Sequence, residues 1–172
     1  MQEPDQNHPA VTVRPLGDPV AAEAVRLLDE TVAGRIQFRL GRRLDVLGLP
    51  GFGAWTAGQL AGVAIWSGAP NADGLAELAV LAVAEGHRGA GIGGRLVEEV
   101  ITAAGCSALW LVTTNDNLDA LRLYQRRGFR LSALHRMAVD AARDAKPSIP
   151  LTGNYGIPLH DELVLRHELA RS

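Results

Sequence analysis

The sequence contains 172 residues, a length that suits one domain of ordinary size. Hydrophobic residues make up 47% of the chain and charged residues 21%, a balance typical of a globular core with a solvated surface. The net charge of −2 and the scattered basic residues argue against a general electrostatic attraction to nucleic acid or to an anionic membrane.

The start of the chain and its cysteine content indicate the compartment. Residues 1–9 are polar and contain proline, without the charged and then apolar pattern of a signal peptide, and no apolar run is long enough to span a membrane. The single cysteine, Cys106, excludes an internal disulfide and a cysteine-rich zinc site. We therefore expect a disordered tail over 1–9, one domain over 10–172 and a cytoplasmic location, with Cys106 as a structural thiol.

The first part of the chain predicts one strand and two helices. A short strand over 11–14 precedes Asp18 and Pro19, which suit the N-cap and the first position of a helix that ends at Gly34. Over 35–47, apolar residues recur every three or four positions with arginines between them. This spacing predicts a second amphipathic helix.

The rest of the chain alternates strands with helices. Strands are predicted over 52–57, 60–67, 75–83, 107–113, 129–135 and 162–169, and helices over 91–104, from a cap at Asn115 or Asp116 to Gly128, and over 138–146. The first two of these strands form a hairpin through 57–59. The order predicts an α/β (α+β) fold in which helices flank a mixed sheet, with an insert over 136–160 before the last strand.

Four glycines lie within the six positions 89–94, where a strand gives way to a helix. The unpaired amides and the positive dipole end of a helix N-terminus attract anions, and glycine lets an anion approach the backbone because it has no Cβ. Arg88 adds a positive charge at the mouth of this loop. The segment therefore predicts a pyrophosphate site.

The same glycines leave a second interpretation open. Gly89, Gly91 and Gly94 match the spacing of the dinucleotide-binding fingerprint, and Asp116 lies where that motif expects an acidic residue. Five residues, 84–88, separate the strand from the first glycine, whereas the dinucleotide turn is abrupt. A nicotinamide dinucleotide is therefore the less favoured ligand. A Walker loop is excluded because no Gly-Lys-Ser/Thr sequence follows.

Two motifs together resemble those of the GCN5-related N-acetyltransferase (GNAT) superfamily. The first is Arg88-Gly-Ala-Gly-Ile-Gly93, after a strand that ends in Leu-Ala-Val at 81–83, and the second is Asn117-Leu-Asp-Ala-Leu-Arg-Leu-Tyr124-Gln-Arg-Arg-Gly128-Phe129. The resemblance implies a mixed, mostly antiparallel twisted sheet of six to seven strands. About four helices would flank this sheet, which would be splayed between its fourth and fifth strands.

The same resemblance implies an acetyl-CoA-dependent N-acetyltransferase. The five histidines show no metal-ligand spacing, so we expect no metal. The loop amides would hold the pyrophosphate of acetyl-CoA, and the pantetheine would lie along 81–83 like an added strand. The cofactor-binding residues implied in this way are Leu81, Ala82, Val83, Arg88, Gly89, Ala90, Gly91, Ile92, Gly93, Gly94, Asn117 and Tyr124.

Two side chains are candidates for the chemistry of acetyl transfer. The resemblance places Tyr124 near the sulfur of CoA as the general acid, while the residues alone also allow a core tyrosine with its hydroxyl at the surface. Glu77 interrupts an apolar strand and matches the general-base glutamate of the histone acetyltransferase branch. The other interpretation of Glu77 is a carboxylate that is exposed or paired with an arginine. A backbone amide of 81–83 is the expected oxyanion donor.

No motif identifies the acceptor amine. The first helices line the acceptor site in the superfamily, so Arg35, Arg39 or Arg42 could recognise an acidic group, although a solvated arginine face is the simpler interpretation. The insert over 136–160 is expected to cover the acceptor pocket or to form a homodimer contact. The polar candidates in and around it are His135, Asp140, Lys146, Tyr155, Asp161 and Glu162. We expect a small-molecule or peptide amine as acceptor; the alternative is a sensor that binds acetyl-CoA without turnover.

Overall fold

The computed structural model describes residues 10–17 and 21–169. The predicted tail over 1–9 and the predicted helix start at Asp18 and Pro19 lie outside this part of the chain. The strands are β1 (Val11–Pro15), β2 (Ile36–Arg39), β3 (Arg42–Asp45), β4 (Gly51–Thr56), β5 (Gln59–Trp66), β6 (Leu75–Val83), β7 (Ala108–Thr114), β8 (Arg130–His135) and β9 (Glu162–Glu168). The helices are α1 (Ala21–Val32), α2 (Ile92–Ala104), α3 (Leu118–Gln125) and α4 (Ala138–Ala145).

The main sheet has seven strands in the order β1-β4-β5-β6-β7-β9-β8. All neighbours are antiparallel except β6 and β7, which run parallel and pair only through 75–77 and 108–110. Beyond these residues the two strands separate, which leaves the facing edge of β6 without a strand partner. The predicted splay between the fourth and fifth strands of the sheet is confirmed.

Apolar side chains cover both faces of the central strands, because helices pack on both sides of the sheet. Helix α2 buries Leu96, Val97 and Val100 against one face, and α1 buries Leu27 and Leu28 against the other. This two-sided burial explains why β5 and β6 read as nearly continuous apolar runs instead of alternating with polar residues.

The second amphipathic helix predicted over 35–47 is wrong. Most of these residues form a two-stranded hairpin in which β2 pairs with β3 through the turn Leu40-Gly41. Leu40 and Gly41 have φ of +47° and +69°, as a two-residue hairpin turn of type I′ requires. Apolar residues four positions apart share one face of a helix, but they also share one face of a strand, because strand side chains alternate between faces. Gly41 favours the hairpin, because glycine adopts the positive φ of its turn without strain.

Helix α3 begins later than the sequence predicts and ends earlier, at Gln125 and not at Gly128. Its N-cap is Asn117 and not Asn115 or Asp116, because the Asn117 side-chain oxygen accepts a hydrogen bond from the Ala120 amide at 3.4 Å. Asn115 and Asp116 instead accept hydrogen bonds from the insert. The remaining predicted strands and helices agree with the structure to within about two residues at each end.

Candidate active site

The glycine segment between β6 and α2 forms an open backbone surface. Gly89 and Gly91 have φ of +82° and +78°, and Gly91 caps α2. Within the described part of the chain, the amides of 89–94 donate no hydrogen bond to another backbone group. A Cβ built on Gly89 or Gly91 meets no atom within 4 Å. Free amides at a helix N-terminus with open space before them suit a phosphate group.

The residues around this segment divide into exposed and buried ones. Arg88 and Ala90 are exposed beside the free amides, and Arg88 Nε donates to the Val83 carbonyl at 3.3 Å. Gly94 is buried, and a Cβ there would collide with the guanidinium of Arg127. Gly94 therefore allows close packing beneath the loop. The side chain of Ile92 belongs to the core, so only its backbone amide is available to a ligand.

A cavity of about 560 Å³ opens where β6 and β7 separate. Its polar lining residues are Thr31, Gln37, Arg39, Thr113, Thr114, Asp116, Asn117, Tyr124, Lys146, Ser148, Thr152, Asn154 and Glu162. Leu81 also lines the cavity, and its side chain lies 3.6 Å from the position of a Cβ built on Gly93. The C-terminal end of β6 therefore connects the glycine segment to the cavity.

The end of β6 offers a free edge between these two features. Leu81, Ala82 and Val83 pair with 62–64 of β5 on one side, while β7 has separated from β6 on the other. An extended chain can add to such an edge through main-chain hydrogen bonds. The predicted path of pantetheine along 81–83 is compatible with this edge.

Tyr124 lies on α3 in the wall of the cavity. Its ring is buried and packs against Phe129, with the ring centroids 5.6 Å apart. Burial raises the pKa of Tyr124 above its ordinary value, and the nearby positive charge of Arg39 opposes this only in part. The hydroxyl therefore stays protonated at neutral pH. Asn117, seven residues earlier, caps the same helix and lines the same cavity.

Glu77 is buried and paired with two arginines. Its carboxylate lies 3.2 Å from Arg39 Nη1 and 3.3 Å from Arg42 Nη2. Its backbone amide donates a hydrogen bond to Ser67 Oγ at 2.9 Å. The residues that line the cavity do not include Glu77. The structure thus has the arginine-paired arrangement, and the role of Glu77 as general base stays a prediction.

Arg39 is buried at the centre of this cluster, so the interpretation of the arginines as a solvated face is wrong for this residue. Its Nη1 donates to Glu77 and to the Ala79 carbonyl, while Nη2 is buried without a partner among the described residues. Burial lowers the pKa of Arg39, and the carboxylate of Glu77 opposes this shift. Arg35 and Arg42 are exposed, as predicted.

Glu162 lies at the start of β9 and is 3% exposed. Its Oε2 accepts a hydrogen bond from the Leu40 amide at 2.7 Å, across 122 positions of the chain. Burial raises the pKa of Glu162, and this hydrogen bond and the charge of Arg39 oppose the shift. The sequence marked Glu162 only as a polar residue at the end of the insert. No local signal connects it to the β2–β3 hairpin, because their contact is tertiary.

The family to which the chain belongs follows from a match to a known sequence family. The sequence model of the acetyltransferase (GNAT) family matches residues 22–129. The chain belongs to the GNAT acetyltransferase family. The matched region contains Glu77, the glycine segment and Tyr124, and the membership excludes the dinucleotide-binding interpretation of the glycines.

The chain is also similar to two uncharacterized sequence relatives, YxbD and YdhI of Bacillus subtilis, and to solved acetyltransferase structures. The uncharacterized protein YxbD of Bacillus subtilis is 46% identical over 82 residues, which cover 46% of this chain and 52% of that protein. The matches thus span about half the length, or less, of these curated relatives. A B. subtilis acetyltransferase in complex with CoA aligns with a TM-score of 0.73 at 21% identity, covering 94% of this chain and 100% of that chain. The ribosomal-protein-S18-alanine N-acetyltransferase of Escherichia coli aligns with a TM-score of 0.67 at 18% identity, covering 95% and 96%. At these identities the structural likeness concerns the fold.

In this GNAT chain the insert lines one side of the cavity and is tied to the end of β7. Oδ2 of Asp116 accepts hydrogen bonds from the Asn154 amide at 2.8 Å and from its Nδ2 at 2.7 Å, while Oδ1 accepts from Thr114 Oγ1. Oδ1 of Asn115 accepts hydrogen bonds from the amides of His160 and Asp161. The sequence prediction that Asp116 caps a helix therefore missed its role as an anchor for the insert.

The other polar candidates of the insert make contacts within the GNAT fold. Asp140 forms ion pairs with His160 and Arg143. The Tyr155 hydroxyl donates to exposed Asp119, and the Asp161 carboxylate accepts from the Met137 amide. Lys146 Nζ donates to the Ala33 carbonyl, and His135 is exposed. The hydrogen bond from His160 is the main reason that the pKa of Asp140 is lowered. Cys106 is a free, half-buried thiol.

Neither a membrane-spanning helix nor a metal-binding cluster is present in residues 10–17 and 21–169. No helix in this part of the chain is both long and apolar enough to cross a membrane. The same residues contain no group of three or more His, Cys, Asp or Glu side chains placed to hold a metal ion.

Proposed function

We propose that this GNAT protein transfers an acetyl group from acetyl-CoA to a primary amine. The observation that carries the proposal is the connection of the free amides of 89–94 to the cavity that holds Tyr124, through the open edge of β6. A pyrophosphate on these amides and a pantetheine along 81–83 would bring the thioester to Tyr124. The B. subtilis acetyltransferase that holds CoA has the same fold, which supports this choice of donor.

Tyr124 suits the role of general acid in this reaction. Acetyl-CoA, when bound, supplies a thioester that an amine can attack. The departing thiolate needs a proton, and the raised pKa of Tyr124 keeps its hydroxyl proton in place until then. Asn117 fixes the start of α3 and thereby the position of Tyr124 two turns further along. The free edge of 81–83 is the expected source of an amide for the oxyanion.

The acceptor is a small molecule or a peptide with a primary amine that enters the cavity from the side of the insert. Ser148, Thr152 and Asn154 line that side with hydrogen-bonding groups, and Arg39 and Glu162 line its inner wall with opposite charges. The proposed location is the cytoplasm, and the proposed assembly is a homodimer.

The prediction that Glu77 is the general base has less support than the other site predictions. Two ion pairs hold its carboxylate, and its partner Arg39 lines the cavity whereas Glu77 does not. This arrangement favours a role for Glu77 in positioning Arg39.

An acetyl-CoA consumption screen tests the proposal. Release of free CoA is followed by a thiol reagent over polyamines, amino acids, aminoglycosides and peptides with free N-termini. We expect CoA release above the rate of hydrolysis with at least one class, and acetylated product by mass spectrometry. Tight CoA binding by calorimetry without turnover on any class would favour the alternative, a sensor that binds acetyl-CoA.

A further inference from the structure

Among the described residues, two carboxylates line the cavity, and only one of them has an oxygen that accepts no hydrogen bond. Both oxygens of Asp116 accept hydrogen bonds from Thr114 or Asn154. Glu162 accepts a single hydrogen bond, from the Leu40 amide to Oε2, and Oε1 accepts none within the described part of the chain. Glu162 is therefore the carboxylate of the cavity wall that can receive a proton from a bound molecule.

The surroundings of Glu162 make it a better base than an exposed glutamate. In the sheet it lies between Thr114 of β7 and His135 of β8. Arg39 from β2 and His135 from β8 favour its charged form, but burial outweighs them and raises the pKa of Glu162. Tyr124 from α3 and Lys146, the residue that follows α4, also line the cavity, and Lys146 Nζ donates to the Ala33 carbonyl. A carboxyl with a pKa closer to neutrality accepts a proton more effectively.

Glu77 differs from Glu162 on each of these points. Both of its oxygens are engaged by guanidinium groups, at 3.2 Å and 3.3 Å. It is absent from the residues that line the cavity. Its carboxylate would have to break both ion pairs before it could approach an amine.

We propose that Glu162 is the general base that removes a proton from the ammonium group of the acceptor, an assignment that rests on the proposed function. An N–H bond of the ammonium breaks and an O–H bond forms at Oε1. The lone pair of the neutral amine then forms the C–N bond to the acetyl carbonyl carbon, and the C–S bond breaks. The thiolate takes the proton of Tyr124, the tyrosinate recovers a proton from the nitrogen, and Glu162 releases its proton to solvent. The products are the amide, free CoA and one proton.

The test compares two amines of similar size that differ in protonation. Ethylamine is an ammonium ion at neutral pH and needs a base, whereas 2,2,2-trifluoroethylamine is already a free amine and needs none. In Glu162→Gln the amide oxygen can still accept from the Leu40 amide. We expect this variant to lose about a hundredfold in kcat/KM with ethylamine and at most a few-fold with trifluoroethylamine. We also expect its rate with ethylamine to recover as rising pH converts the substrate to the free amine.

Two controls separate this role from a structural one. Glu168→Gln changes an exposed glutamate on the same strand and should leave both rates unchanged. Glu77→Gln disturbs Arg39 and should lower both rates by the same factor. Equal losses with the two amines in Glu162→Gln, an unchanged rate, or the amine-selective loss in Glu77→Gln instead would overturn the assignment. The proposed function itself fails on a separate result, the absence of turnover with every amine class of the acetyl-CoA screen.

Discussion

Gly91 and Gly105 lie at the two ends of α2 and share the same local geometry. Both have positive φ, +78° and +53°, and a Cβ built on either meets no atom within 4 Å. They differ in position, because Gly91 lies at the positive N-terminal end of the helix dipole and Gly105 at the negative C-terminal end. The pair therefore separates backbone strain from ligand binding.

Replacement of either glycine by leucine should cost a similar, small amount of stability. We expect about 1 kcal/mol for each variant, because a left-handed backbone is strained for a residue with a Cβ. Only Gly91→Leu should abolish CoA binding, because its side chain would fill the space before the free amides. Calorimetric titration with CoA and thermal unfolding of both variants check this. Equal CoA affinity in Gly91→Leu and the wild type would contradict the assignment of the loop.

Tyr124→Phe should keep the ring packing of this side chain and remove the hydroxyl proposed as the general acid. The phenylalanine ring can still contact Phe129, so we expect the melting temperature and the CoA affinity to stay close to those of the wild type. The value of kcat should fall by about a hundredfold or more, because general acid catalysis contributes on that scale. Tyr155→Phe is the matched control, since the Tyr155 hydroxyl donates to exposed Asp119. Steady-state kinetics of both variants test this prediction. An unchanged kcat in Tyr124→Phe would refute the role of Tyr124 as general acid.

At the scale of elements, the hairpin of β2 and β3 bridges the two halves of the splayed sheet. Arg39 at its turn contacts Glu77 and Ala79 of β6, and the neighbouring Leu40 amide contacts Glu162 of β9. A helix over the same residues would not bring adjacent side chain and backbone groups to two separated strands. The element that the sequence assigned wrongly is thus the one that arranges the charges of the cavity.

The position of the insert depends on the hydrogen bonds that Asp116 accepts from Asn154. Asp116→Ala would leave the Asn154 amide, its side chain and the Thr114 hydroxyl without their acceptor, and we expect a loss of about 1–3 kcal/mol. Hydrogen exchange should become faster at 153–154, which mass spectrometry can measure. Asp119→Ala is the control and should stay within about 0.5 kcal/mol, because its partner Tyr155 is exposed and can bond to water. Unaltered exchange in Asp116→Ala would show that the insert is held elsewhere.

At the scale of the whole molecule, a buried glutamate should reduce stability at neutral pH. Because the folded-state pKa of Glu162 is raised above its ordinary 4.5, the folded protein binds this proton more tightly than the unfolded chain. The resulting stability is complete below the unfolded-state pKa and is lost as the pH rises through the folded-state pKa. Glutamine has no such dependence. Relative to the wild type, Glu162→Gln should therefore gain melting temperature between about pH 4 and about pH 7.

Calorimetric unfolding of the two proteins at both pH values measures this difference. Glu168→Gln provides the control, because its carboxylate is exposed on the same strand. A difference in melting temperature that is the same at both pH values would show that Glu162 titrates as an ordinary glutamate in the folded protein.

Features that are contiguous in the chain could be predicted from the amino-acid order alone. The glycine segment, the helix that carries Tyr124 and the apolar strands all follow from the order of neighbouring residues, since turn geometry, helix periodicity and two-sided burial are local or nearly local properties. Both motifs of the GNAT family belong to this group. The sequence also identified Glu77 and Glu162 as polar residues of interest, without their surroundings.

Which charged groups contact one another depends on the fold and could not be predicted from the sequence. Arg39 reaches Glu77 over 38 positions, and the Leu40 amide reaches Glu162 over 122, at the opening between two strands that pair only at their start. Burial and the fields of distant charges set the ionisation of a carboxylate, and neither is encoded in its neighbours along the chain. The residues of the site could therefore be named from the sequence, while their pairing and their roles depend on the fold.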